Sequence, residues 1–191
     1  MISGAVRDEL ISRYREPHRR YHTMAHIEDC LAQVGASTDF TVGQRDLMDA
    51  AIWFHDAIYD PTRNDNEAES ARLAIERLSA ERAAPAFIAE VDRLIRLTAG
   101  HSVAEDDAIG ARLVSIDLSI LGAEPERYDA YARAIREEYA HVPEPAWRAG
   151  RAAVMQRFLD SPRLFPDPDF AARLDAPARA NIRREITALA G

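Results

Sequence analysis

Apolar residues recur at helical spacing along almost the whole of this 191-residue chain, and this periodicity constrains the fold more than any other feature. In segment 42–59, for example, apolar side chains recur every three or four residues and predict one buried helical face. Strand signals are almost absent, because no alternating run of β-branched residues is flanked by a hairpin turn. The sequence therefore predicts an all-α protein.

Capping residues, prolines and glycines give approximate bounds for the predicted helices. Gly100 and Gly122 are expected to end two of them in the left-handed conformation that glycine favours. Two short helices should follow the proline-rich segment 161–168, with Asp175 as the N-cap of the second. The longer helices are predicted at about 3–15, 23–35, 42–59, 67–79, 86–99, 106–121, 126–139 and 145–159.

The length of the chain favours one compact domain. A domain of 191 residues buries roughly two-thirds of the surface that its unfolded chain exposes. No internal repeat divides the sequence, and segment 161–168, the best candidate boundary, is followed by too little chain for a second domain. We expect residues 1–191 to form a single helical bundle of about eight or more helices.

Composition and charge exclude several classes of protein. No apolar stretch approaches the ~20 residues of a membrane span, and the N-terminus lacks the order of a signal peptide, so we expect a cytoplasmic protein. The single cysteine, Cys30, provides neither a disulfide nor a Cys-rich zinc site. The net charge of -8 argues against a broad nucleic-acid surface but is compatible with a small anionic ligand.

The dipeptide His55–Asp56 is the first candidate for chemistry. It interrupts an apolar run, with Trp53 and Phe54 before it and Ala57 after it. Burying an imidazole and a carboxylate costs several kcal/mol unless another group compensates them. A divalent cation would provide that compensation.

Three further residues are candidate ligands of such a cation. Asp117 lies within an apolar run, where it is either exposed on a narrow stripe with Ser115 and Ser119 or buried and paired. His22 and His26 are four residues apart, so their side chains share one face if that stretch is helical. Imidazole nitrogens and carboxylate oxygens suit Mn, Fe, Co, Ni, Zn or Mg, and two His with two Asp leave positions for water and substrate.

Each of these features has a simpler explanation when it is taken alone. A His-Asp dipeptide is usually incidental, and two histidines at helical spacing are most often a solvated pair. Asp117 could be a satisfied helix carboxylate, and Glu67 could be an ordinary acidic residue in a first helical turn. The joint appearance of these residues is what favours a metal site.

Together these segments resemble the HD superfamily of metal-dependent phosphohydrolases, and most closely a little-characterised bacterial subgroup of HD-domain proteins. The likeness covers about residues 14–122 and is carried by Arg20–His26, Phe54–Asp60, Asn66–Ser70 and Asp117–Gly122. It implies an HD-like helical scaffold on which metal-activated water hydrolyses a phosphate ester or a nucleotide-type substrate. The positions that match the metal ligands of the family are His26, His55, Asp56 and Asp117.

The remaining catalytic roles are assigned to nearby residues. Asp56, Asp60 or Glu67 could accept a proton, and His22 could protonate the leaving group, as the matching His does in the similar cyclic-nucleotide phosphodiesterases. Those enzymes commonly have Asn after this His, whereas Thr23 stands here. The nearest candidates for binding phosphate oxygens, each with a purely structural surface role as its alternative, are Arg19, Arg20 and Arg63.

Three other functions are compatible with the same residues. The protein could sense a metal or a nucleotide without turnover, or it could be a helical interaction module with a vestigial site. It could also be a di-iron HD-type oxygenase, for which His101 and Glu67 are the only credible additional ligands. For His101, which follows a predicted helix end, a favourable interaction of its charge with the helix dipole is the simpler explanation.

Overall fold

The computed structural model describes residues 2–37 and 40–191 of the chain. All regular structure in this part is helical, so the predicted all-α fold class is confirmed. None of the helices within the described ranges is both long and apolar enough to cross a membrane. The elements are α1 (Gly4–Arg13), α2 (Met24–Ala36), α3 (Val42–Phe54), α4 (Asn66–Ala80), α5 (Pro85–Thr98), α6 (Ala108–Asp117), a 3-10 helix (Leu118–Gly122), α7 (Pro125–Glu138), α8 (Glu144–Asp160) and α9 (Pro168–Ala190).

The chain divides into two compact units, Met1–Leu113 and Val114–Gly191. The division falls inside α6, which continues through it without a break. The proline-rich segment 161–168 lies within the second unit.

The first unit is organised around α3. This helix starts with a capping box, in which Thr41 and Gln44 satisfy each other's backbone N–H groups, and it packs against α1, α2, α4 and α5. Burying each large apolar side chain of this core contributes about 1.5–3 kcal/mol. The largest fully buried apolar side chains of the unit are Tyr14, Phe54, Leu10, Ile27, Met48, Ile52, Leu94, Ile95 and Leu113.

In the second unit, α9 packs along both α8 and the 3-10 helix. Gly122 ends the 3-10 helix without a positive φ, so the predicted left-handed cap is wrong there. The glycine is needed for a close approach instead, because a Cβ at this position would lie 2.7 Å from Leu174 Cβ and 3.0 Å from Leu174 O. The Asn181 side chain fixes the same corner by donating to the carbonyls of Leu121 and Ala123.

Two other predictions of helix ends are also wrong. After α5 the positive φ belongs to His101, at 53°, and not to Gly100. The two short C-terminal helices are in fact the single helix α9, which contains Pro177. Asp175 does not start a helix but forms an ion pair with Arg179, whose guanidinium also donates to the carbonyls of Leu159 and Ser161. These tertiary contacts offset the backbone hydrogen bond that the proline removes.

Candidate metal site

Helix α3 ends at Phe54, so the prediction that it continues to Tyr59 is wrong. His55 follows as the C-cap residue, and Asp56 begins an irregular segment that leads to α4. We call residues 56–60 the ligand loop. The candidate ligands His55 and Asp56 therefore lie at a helix end, where side-chain directions are set by the loop that follows.

The ligand loop is held in place by side chains from outside it. Five consecutive backbone carbonyls, those of residues 56–60, each accept a hydrogen bond from a side chain. These bonds replace the helical hydrogen bonds that a continued α3 would have formed. The donors are Arg19 to Asp56 O (2.8 Å) and Ala57 O (3.1 Å), Ser70 to Ile58 O (3.3 Å), His18 to Tyr59 O (2.7 Å) and Asn66 to Asp60 O (2.9 Å).

Asn66 and Ser70 bind the ligand loop in both directions. The side-chain oxygen of Asn66 accepts from Asp60 N at 3.1 Å, and the hydroxyl of Ser70 accepts from Ile58 N at 3.0 Å. Ser70 is fully buried, so its side chain has a fixed place between α4 and the loop. The motif residues at 66 and 70 therefore act structurally, by fixing the loop that carries Asp56.

His26 lies on α2, the second helix of the first unit. Thr23 precedes α2 in an extended conformation, and His26 lies in the first turn, 95% buried. Its Nδ1 is 3.1 Å from the hydroxyl of Tyr21, and its Nε2 is 3.2 Å from the Nε2 of His55. The Nε2 atoms of these two imidazoles are therefore close enough to share one cation.

The hydrogen bonding of His55 determines which of its nitrogens is available. Its Nδ1 lies 2.9 Å from the carbonyl oxygen of Ile52, which can only accept, so Nδ1 carries a proton and donates it. A histidine binds a metal through the ring nitrogen that carries no proton, which in a neutral His55 would be Nε2. The same nitrogen lies 3.2 Å from His26 Nε2, so two potential ligand atoms are adjacent.

Asp56 completes this group within the first unit. Its Oδ2 lies 3.1 Å from His55 Nε2 and 3.7 Å from His26 Nε2. Burial raises the pKa of Asp56, but the adjacent imidazoles of His55, His22 and His26 outweigh burial and lower it below its ordinary value. The carboxylate is therefore ionised, and the two nitrogens and one oxygen form a donor set that fits a divalent cation.

Asp117 is the last residue of α6 and is partly buried. Asp117 belongs to the second unit, whereas His26, His55 and Asp56 belong to the first. The carboxylate of Asp117 is of the type that binds divalent metals.

His22 lies just before α2, so the helical spacing predicted for His22 and His26 does not apply. Its ring stacks on that of Tyr59 with 4.1 Å between centroids, and its centroid is 6.3 Å from that of His26. The electrostatic interaction of His22 with Asp56 contributes to the lowered pKa of that carboxyl group. His22 therefore borders the three converging residues.

The candidate phosphate-binding arginines differ in their surroundings. Arg19 is buried, and its N–H groups are directed at backbone carbonyls and at Glu16. Arg20 is exposed and donates to the carbonyls of Pro17 and Arg19. Arg63, also exposed, forms an ion pair with Asp65 at 2.7 Å.

The candidate base Glu67 stands in the first turn of α4 and is half-buried. Within residues 2–37 and 40–191 its carboxylate forms no hydrogen bond or ion pair. The other candidate base, Asp60, accepts hydrogen bonds from the backbone and hydroxyl of Thr62.

Comparison with known proteins finds no matching family model, no matching curated protein and no matching solved structure. A functional assignment therefore depends on the chemistry of the site itself.

Proposed function

We propose that the protein is a metal-dependent phosphohydrolase of the HD type that acts on a small phosphorylated substrate. The observation that carries the proposal is the convergence of His26 Nε2, His55 Nε2 and Asp56 Oδ2, separated by 3.1 to 3.7 Å. Imidazole nitrogens and a carboxylate oxygen at this spacing match the ligands that divalent cations take in proteins.

The residues that would hold the metal are His26, His55, Asp56 and Asp117. A bound divalent ion would supply Lewis acidity and would lower the pKa of a water molecule toward neutrality. Mn, Fe, Co, Ni, Zn and Mg all accept this mixture of nitrogen and oxygen ligands.

Other residues around the site would handle the substrate and its protons. His22 borders the ligands and would donate a proton to the leaving oxygen. Glu67 would accept a proton, because its carboxylate is not occupied by an ion pair within the described ranges. Arg20 and Arg63, both exposed, would bind phosphate oxygens, whereas Arg19 is buried.

The proposal is tested by metal analysis and by activity on the same preparations. Protein purified without chelator should contain about one metal ion per chain. With added Mn²⁺ it should hydrolyse at least one compound from a panel of nucleoside monophosphates, cyclic nucleotides and pyrophosphates. Asp56→Ala and His55→Ala should each weaken metal binding and lower kcat/KM by about 10³-fold, since several kcal/mol of transition-state stabilisation disappear.

Matched controls separate a specific effect from a general one. Asp160 and His141 are both exposed and are not candidate ligands, so Asp160→Ala and His141→Ala should retain metal and activity. Metal binding without hydrolysis of any panel member would favour a sensor. Two metal ions per chain with oxygen consumption would favour an oxygenase. Absence of bound metal would favour a helical interaction module with a vestigial site.

The substrates on this panel are cytoplasmic metabolites, and the proposal accordingly includes a cytoplasmic location. A fusion of the protein to a fluorescent reporter would test this part.

A further inference from the structure

Arg19 connects the two segments that carry the proposed catalytic groups. Its Nη1 donates to the carbonyl of His22 at 3.0 Å and to that of Asp56 at 2.8 Å. Its Nη2 donates to Ala57 O at 3.1 Å, and its Nε to Glu16 at 3.0 Å. One rigid, planar group therefore spans the backbone from which His22 and Asp56 project.

The surroundings of Arg19 keep this group in a single orientation. Its side chain is fully buried, and its guanidinium carbon lies 5.2 Å from the ring centroid of Tyr14 and 5.5 Å from that of Tyr59. Tyr59 also stacks on His22. A lysine would retain the positive charge, but its point-like ammonium group cannot reproduce the planar fork of donors.

We propose that Arg19 is a positioning residue that sets the Asp56 carboxylate in the geometry needed to bind the metal. The inference depends on the proposed metal site, because it concerns how one ligand of that site is held. Arg19 touches neither the ligand atoms nor the substrate in this role. It acts through the peptide groups of Asp56 and Ala57.

The position of Asp56 explains why such a restraint matters. The residue lies beyond the end of α3, so helical hydrogen bonds no longer fix its backbone. Its carboxylate must nevertheless stay close to two imidazole nitrogens. Residues that orient metal ligands typically change metal affinity by about 10- to 100-fold when they are replaced.

The test uses Co²⁺ as the probe, with binding followed by the visible absorption of the ion at a temperature where every variant is folded. Arg19→Lys should weaken Co²⁺ binding by about 10- to 100-fold and should change the spectrum toward that of Asp56→Ala. Arg45→Lys is the matched control, since Arg45 donates to the carbonyls of Val34 and Ser37 at the end of α2. It should bind Co²⁺ as tightly as the wild type.

A double-mutant cycle distinguishes positioning from a general loss of structure. If Arg19 acts through Asp56, Arg19→Lys should weaken binding less than about 2-fold when Asp56 is already alanine. Fully multiplicative effects, or an Arg19→Lys protein that binds like the wild type, would overturn the inference. Arg19→Gln provides a second variant, and failure of both variants to fold would assign Arg19 to fold stability and would also overturn it.

The two proposals fail in different ways. A wild-type protein that does not bind Co²⁺ would reject the metal site, and the role of Arg19 with it. A wild-type protein that binds Co²⁺, together with unaffected Arg19 variants, would reject the positioning role alone.

Discussion

Each unit of this protein contains a buried cluster of polar side chains, and the two clusters differ in the residue types that compose them. In the second unit, Arg151 Nε donates to Glu185 at 2.7 Å, and the hydroxyl of Tyr128 donates to the same carboxylate. Arg151 also donates to the hydroxyl of Tyr131 at 3.1 Å. Donors meet acceptors and one positive charge meets one negative charge.

The first-unit cluster is composed of residue types that bind divalent metals. The Nε2 atoms of His26 and His55 lie 3.2 Å apart, and Oδ2 of the ionised Asp56 lies 3.1 Å from His55 Nε2. The second-unit cluster joins an arginine to a carboxylate and serves the fold. The first-unit cluster brings imidazole nitrogens and a carboxylate oxygen to one point, and under the proposed function it binds a cation there.

Breaking the second-unit cluster should have the largest effect on stability. Arg151→Ala leaves Glu185 buried without its counter-charge, which costs about 3–5 kcal/mol. Urea unfolding followed by circular dichroism would measure the change in the free energy of unfolding. Mn²⁺ should not alter this loss, because the second-unit cluster does not bind the metal.

The control for that measurement is an exposed ion pair. Arg72, whose side chain is 66% exposed, contacts Glu69 on α4. Arg72→Ala should cost less than about 1 kcal/mol. A loss as small as this for Arg151→Ala would show that the second-unit network does not depend on its ion pair.

The first-unit cluster, unlike the second-unit cluster, should respond to metal. Mn²⁺ at 100 times its Kd should raise the free energy of unfolding of the wild type by about 2.7 kcal/mol, because the ion binds only the folded state. Asp56→Ala should remove most of this increase, whereas Arg151→Ala should keep it. Equal stabilisation of the wild type and Asp56→Ala would place the Mn²⁺ elsewhere on the protein.

A partly exposed cluster gives the smallest expected effect. Hydrogen bonding to Arg77 lowers the pKa of Glu9 from 4.5 to about 2, although burial opposes the change. Because the folded-state pKa is lowered, the stabilisation is present above pH 4.5 and is lost as the pH falls toward 2. With solvent screening we expect about 1 kcal/mol.

The measurement for this cluster is the difference in unfolding free energy between the wild type and Glu9→Gln. The difference should be largest near pH 6 and should shrink through the acidic range. A difference that does not change with pH would mean that Glu9 stabilises the protein by packing and not by charge.

Much of the helical architecture could be predicted from the sequence, since periodicity and capping are local. Predicted helices 67–79, 86–99, 126–139 and 145–159 differ by one residue at each end from those of the structure. Proline stands at the first or second position of three of these helices and marks their first turns clearly.

The ends that were predicted wrongly depend on distant residues. Helix α3 stops at Phe54 because Arg19 and Ser70, far away in the sequence, bind the carbonyls that follow. Helix α9 passes through Pro177 because Arg179 anchors it to the end of α8. No local pattern contains this information.

The candidate site, like the helices, could be predicted only in part from the sequence. Residue type and context pointed to His26, His55 and Asp56, and the structure brings these three together. The binding of backbone carbonyls by Arg19 could not be predicted from the sequence, because an arginine next to a histidine motif is equally suited to bind phosphate. Only the direction of its guanidinium distinguishes the two uses.

The ligand loop has one consequence for how this protein can vary. Irregular segments usually tolerate inserted or deleted residues, since few of their backbone groups are committed to partners. Here each carbonyl from Asp56 to Asp60 has its own donor. One added residue would shift the whole row out of register, so this segment should accept changes of side chain far more readily than changes of length.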